Sequence, residues 1–196
     1  MKLRQKLIVS FLIVVAISSI AIVIGLINLL IVNRSYSNAL IDYGFSQGQV
    51  GSFFASVNEE HSISRDVILL SDQTDKEDAV QKLNTTISSE TDTYLKAVQA
   101  NLSSNSSAQA YYKDITDNLS LYRQTSDEAI QLGLQGKTDE AVHILQDEAG
   151  LYYSKVKDAA QGLMSFYEST VEAQSNKLTV QSENTPSVWL HFRRES

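Results

Sequence analysis

The chain has 196 residues, with one proline, eight glycines and no cysteine. So few turn-formers favour long helices over a strand-and-turn architecture, and the missing cysteine excludes disulfides and thiolate metal sites. The formal net charge of -7 argues against nucleic acid as a partner and against adsorption to anionic lipid.

The first predicted element is the run from Leu7 to Val32, which contains no Asp, Glu, Lys, Arg, His or Pro. At about 1.5 Å per residue it reaches roughly 39 Å, enough to cross the ~30 Å hydrocarbon core with some tilt. Lys2, Arg4 and Lys6 precede it, and positive charge favours the cytoplasmic side. A cleavable signal peptide would have a shorter apolar region ending at a small-x-small site, and Ser35-Tyr36-Ser37 is a poor one. The expected layout is a cytoplasmic N-terminus (1–6), a single span of the inner membrane (7–32), an extracytoplasmic domain (33–180) and an irregular tail (181–196).

After the span no strong helix stop occurs before Ser71, so one helix is predicted to continue from the membrane to about Leu70. Leu40, Val50, Phe54, Val57 and Ile68 carry its apolar stripe, which His61 and Ser64 interrupt. Ser71–Asp75 reads as a turn with Thr74 or Asp75 capping the next helix. There Val80, Leu83, Ile87, Glu90, Tyr94, Ala97 and Asn101 recur in three- and four-residue steps, a heptad-like seam with polar interruptions. The run Asn101–Ser107 favours a turn.

A third helix is predicted from Ala108 to Leu134 on Tyr112, Ile115, Leu119, Tyr122, Ser126 and Ala129. Gly133, Gly136 and Lys137 end it, and Thr138 is expected to cap the fourth. The fourth has the most regular period: Val142, Leu145, Ala149, Tyr152, Val156, Ala159, Leu163, Phe166, Thr170 and Ala173. Short connections make consecutive helices antiparallel, so the fold expected is all-α: a transmembrane helix continuing into an up-down antiparallel four-helix bundle.

Two segments carry a resemblance. Leu132–Leu145, with Gly136-Lys137 followed by Asp139-Glu140-Ala141, resembles the turn between the third and fourth helices in the four-helix-bundle sensors of methyl-accepting chemotaxis proteins. Arg65–Leu70 resembles a recurrent arginine segment near the end of their first helix. The resemblance implies a ligand-sensing extracytoplasmic domain of a chemotaxis receptor, working as a homodimer or paired with related receptors. It also implies a second span and a cytoplasmic signalling part, whereas Val188–Ser196 is too short and too charged to span a bilayer. The expectation is therefore a sensor region lacking that part. A membrane-tethered helical interaction protein and the sensor portion of a histidine kinase are the alternatives.

The resemblance places Arg65 where relatives that sense aspartate or serine meet the ligand carboxylate, and a guanidinium matches a carboxylate with its planar fork. The rival reading is an exposed arginine paired with Asp66, Asp72 or solvent. His61 lies one turn earlier on the same face, and with Ser64 completes the candidate ligand-binding set for a small organic acid or amino acid. No cofactor is expected. His61 and His143 lack partners at metal-ligand spacing, and no catalytic motif occurs, so an enzyme is not expected.

Overall fold

The computed structural model describes residues 3–39, 44–102 and 104–192. Among these every regular element is helical: α1 Leu3–Ala39, α2 Phe45–Leu69, α3 Gln73–Lys82, α4 Ser88–Ala100, α5 Ser106–Leu134, α6 Thr138–His143 and α7 Gly150–Phe192. Two π-helical segments, Leu83–Ile87 and Ile144–Ala149, join α3 to α4 and α6 to α7 without breaking the rod. The four rods of the bundle are thus α2, α3–α4, α5 and α6–α7. The expected continuity of the first helix through residues 40–43 lies outside the described residues.

The chain divides into two compact units, Met1–Leu40 with Ala173–Ser196, and Ile41–Glu172. In the first, α1 carries Arg4–Arg34, a stretch of 31 residues long and apolar enough to cross a membrane. Its large side chains are exposed, Leu7 and Phe11 at 68% each. The irregular tail expected from residue 181 is corrected through residue 192, because α7 is helical to Phe192. Pro186 removes one ladder hydrogen bond at a cost of about 3 kcal/mol, but no glycine follows Gly162 to add a second break.

In the second unit the core is built from α2 (Val50, Phe53, Val57), α5 (Ile115, Leu119, Tyr122) and α7 (Val156, Ala160, Leu163, Tyr167), every one of them at most 3% exposed. A second cluster joins Ile63 and Val67 to Leu83, Ile87 and Ile130. Tyr111 packs directly over Gly162, where a Cβ would stand 2.4 Å from the ring. Only glycine lets α5 and α7 approach this closely.

The second rod departs from the expected seam. Leu83 and Ile87 are buried, but the buried line then runs through Thr91 and Val98, with Leu95 and Leu102 packed beside it. Glu90, Tyr94 and Asn101 are exposed. The cause is the π-helical turn: its wider i→i+5 ladder inserts one residue and rotates everything after it by one position. Two caps also differ. Asp72, not Thr74 or Asp75, caps α3, its carboxylate accepting from the Thr74 N–H (2.8 Å) and the Asp75 N–H (3.2 Å). Lys137, not Thr138, is the N-cap of α6, without a side-chain bond. A carboxylate two residues ahead of Thr74 outcompetes the hydroxyl as an acceptor of orphan N–H groups. The Gly136–Lys137 turn forces Lys137 into the half-in position. There Gly136 adopts φ 76°, Lys137 N–H donates to Leu132 O (3.0 Å) and Gly136 N–H to Gly133 O (3.2 Å), the Schellman pattern that closes a helix.

Candidate functional site

One turn of α2, Glu60 to Arg65, faces three neighbours at once. Successive helical residues point about 100° apart, so Glu60 and Ser64 look toward α5 while His61 and Arg65 share a different face. His61 stacks on Tyr153 of α7, ring centroids 4.4 Å apart and planes at 16°, and the Tyr122 hydroxyl of α5 lies 3.5 Å from its Nδ1. Tyr153 in turn donates to Asn58 Oδ1. Burial first, then the charge of Arg65, lowers the His61 pKa from its ordinary 6.5. The ring is therefore neutral at pH 7. Burial likewise raises the Tyr122 phenol, with only partial opposition from its hydrogen bonds to Ser64 and Ser126.

His61 and Arg65 form one wall of a cleft of about 370 Å³. Ile68 and Leu69 extend that wall, and Val142, Leu145, Gln146 and Gly150 make the opposite one. The size lies at the lower end for small-molecule sites. The second wall is the α6–α7 junction, where the π-helical segment widens the rod and carries Leu145 and Gln146. Short π segments recur at functional sites. The Arg65 side chain is exposed, and among the described residues no carboxylate pairs with it. Neither Asp66 nor Asp72 takes the role that the rival reading gave them.

The structure brings two of the three expected site residues together and separates the third. Ser64 is 1% exposed. Its hydroxyl donates to Glu60 O (2.8 Å) and accepts from Ser126 Oγ (2.9 Å). It belongs to the α2–α5 interface and does not line the cleft. A step of three from His61 sets Ser64 off the His61–Arg65 line, while a step of four keeps Arg65 on it.

Sequence reasoning missed Gln146 and the polar network behind the cleft. The Glu60 carboxylate, 2% exposed, receives both arms of the Arg123 guanidinium, Nε at 3.1 Å and Nη2 at 2.7 Å. Nη1 donates to Asp92 Oδ1 at 2.7 Å, and Nη2 also donates to Ser88 O at 3.3 Å. One arginine thereby ties α2, α4 and α5 together. Glu60 falls three residues after Val57 and four before Ser64 on the apolar stripe, and that spacing is the signal that marks it as buried. Gln146 offered no signal, since nothing in its neighbourhood distinguishes it from a solvated glutamine. At the far end of α5 the buried Lys76 ammonium of α3 donates to Gly133 O (2.7 Å), satisfying a terminal carbonyl with a cation where the helix dipole favours one. Among the expected tyrosines, Tyr122 is core, Tyr152 is half-buried and Tyr94 is exposed. Tyr153, adjacent to the expected Tyr152, is the one that meets His61. Among the described residues no cluster of three or more His, Asp or Glu is placed to hold a metal ion.

An all-α bundle with a small cleft, in a chain that also carries a helix fit to span a bilayer, defines a membrane-receptor sensor module. The chain belongs to the family of four-helix bundle sensory modules for signal transduction, whose model matches residues 1–181, the N-terminal sensor region of a chemotaxis receptor. That family is one of sensors and not of enzymes. Comparison with curated proteins gives no match.

Proposed function

We propose that residues 33–180 form the extracytoplasmic ligand-sensing domain of a chemotaxis receptor, anchored by one N-in span of the inner membrane, and that the ligand sits in the cleft between α2 and the α6–α7 junction. The observation that carries this reading is the guanidinium of Arg65, unengaged by any carboxylate among the described residues and set on the wall of a largely apolar cleft. A carboxylate entering there gains a charge-assisted, bidentate partner without displacing an existing one. His61 contributes a neutral ring and Gln146 an amide for further hydrogen bonds. Ser64 leaves the candidate set and Gln146 joins it. A homodimer, or pairing with related receptors, accompanies the reading, as the family resemblance implies.

The test is calorimetry on the full chain in lipid nanodiscs with a panel of small organic acids and amino acids. At least one member should bind, and Arg65→Ala should weaken it by tenfold or more, the worth of a lost charge-assisted bond. Equal affinity of the variant for every ligand that binds would remove Arg65 from the site.

A further inference from the structure

We infer that the cleft takes a small monocarboxylic acid with an apolar body and no ammonium group, a narrower class than organic acids and amino acids together. The inference rests on the ligand-sensing reading above and specifies its ligand. Three observations carry it. The cleft offers one cation, Arg65, and no acid lines it. Of the acids adjacent in sequence to the lining residues, Glu60 is held by both arms of Arg123, Asp147 lies 3.3 Å from His143 Nε2, and Asp66 does not line the cleft. Besides the neutral groups of His61 and Gln146 the walls are aliphatic, with Ile68, Leu69, Val142 and Leu145 facing the space.

A free amino acid brings a carboxylate and an ammonium, and both need partners when water is stripped from them. Arg65 answers the first charge, and for the second the cleft offers only neutral groups, the His61 ring and the Gln146 amide, with no opposite charge. A dicarboxylate fails on the opposite count, because its second carboxylate would find no second cation there. A monocarboxylate with an alkyl or ring body matches the inventory: one anion for one guanidinium, and apolar surface for apolar surface. The body then contributes affinity in proportion to its length until the space of about 370 Å³ is filled.

The experiment measures dissociation constants by calorimetry on the full chain in nanodiscs, with empty nanodiscs supplying the partitioning background. The probes are acetate, butanoate and hexanoate, together with norleucine (hexanoate bearing an α-ammonium), hexanedioate and the neutral hexanamide. Affinity should rise about fourfold per added methylene. Norleucine, hexanedioate and hexanamide should each bind tenfold or more weakly than hexanoate. Arg65→Gln should weaken hexanoate to the level of hexanamide and leave hexanamide unchanged, while Lys113→Gln, on the exposed surface of α5, changes neither. Norleucine or hexanedioate binding as tightly as hexanoate overturns the inference and leaves the ligand-sensing reading intact. Hexanoate binding that Arg65→Gln does not alter also overturns it. Binding by no probe, amino acids included, removes both.

Discussion

Arg123 is the residue whose loss the bundle should tolerate least. Its guanidinium is the only cation that meets the Glu60 carboxylate among the described residues, and Glu60 is 2% exposed. Arg123→Ala removes the partner and leaves a buried carboxyl group without its counter-charge. Breaking a buried pair from one side costs about 3–5 kcal/mol, a large share of the ~5–15 kcal/mol that holds a domain folded. For a domain of this size the melting temperature should fall by roughly 10–20 °C. Asp92 touches the same guanidinium, but its side chain is 50% exposed. Asp92→Asn should therefore cost at most about 1 kcal/mol. Replacing both buried partners, Glu60→Leu with Arg123→Met, should recover most of the loss, because no charge is then stranded. Thermal melts of the full chain in detergent, followed by circular dichroism at pH 7, separate the three variants. Arg123→Ala melting no lower than Asp92→Asn would refute the reasoning, as would a double variant melting below Arg123→Ala.

Gly162→Ala should destabilise by about 1–3 kcal/mol, since its Cβ would overlap the Tyr111 ring. Gly48→Ala meets open space in the first turn of α2 and should stabilise by up to about 1 kcal/mol; denaturant midpoints moving in the same direction for both would contradict the packing described. His61 has a folded pKa below its ordinary 6.5, so between those two values the unfolded chain binds a proton that the folded one does not. Its contribution is complete above about pH 6.5 and is lost as the pH falls through the folded pKa. The groups facing it are Arg65 of α2, Tyr122 of α5 and Tyr153 of α7, and burial raises both phenols from their ordinary 10. Denaturant midpoints between pH 7.5 and 5 should decline more steeply in the native chain than in His61→Gln, and parallel curves would exclude the effect. Reporter fusions after Ala39 and after Leu178 should both register the extracytoplasmic side, and a cytoplasmic signal from either would reverse the orientation.

Periodicity made the third rod and part of the fourth legible. Ile115, Leu119, Tyr122, Val156 and Leu163 are buried where the three-four spacing puts them, because an α-helix returns the same face at those steps; beyond Leu163 the buried residue is Tyr167, while the expected Phe166 and Thr170 are half-buried and Ala173 is exposed. The second rod was legible only to Ile87. The π-helical turn shifts the seam from Glu90, Tyr94, Ala97 and Asn101 to Thr91, Leu95, Val98 and Leu102, and that more apolar line is the mark the shift leaves in the sequence. Arg65 and His61 stood out by residue type and spacing, but the wall opposite them is built by residues some eighty positions later in the chain. Gln146 and Tyr153 are brought there by the widened rod at Ile144–Ala149, and only the tertiary arrangement reveals them.

The irregularity of the α2 stripe has a physical reading once its neighbours are known. A helix with a purely apolar face can slide against its partners by a turn at little cost, because one aliphatic contact replaces another. Glu60 and Ser64 interrupt that face, with His61 and Arg65 on the neighbouring one, and three of the four have specific partners: Arg123 for Glu60, Tyr153 for His61 and Ser126 for Ser64. A shift of α2 by about 5.4 Å along α5 would strand a buried carboxylate and leave the Ser64 and Ser126 hydroxyls unmatched. Those penalties are larger than any change in aliphatic packing, so they select one register. The same register sets Arg65 opposite Val142 and Gln146 across the cleft. The polar residues that blur the sequence pattern are thus the ones that hold the cleft's two walls in line. Arg65, the fourth, has no carboxylate partner among the described residues.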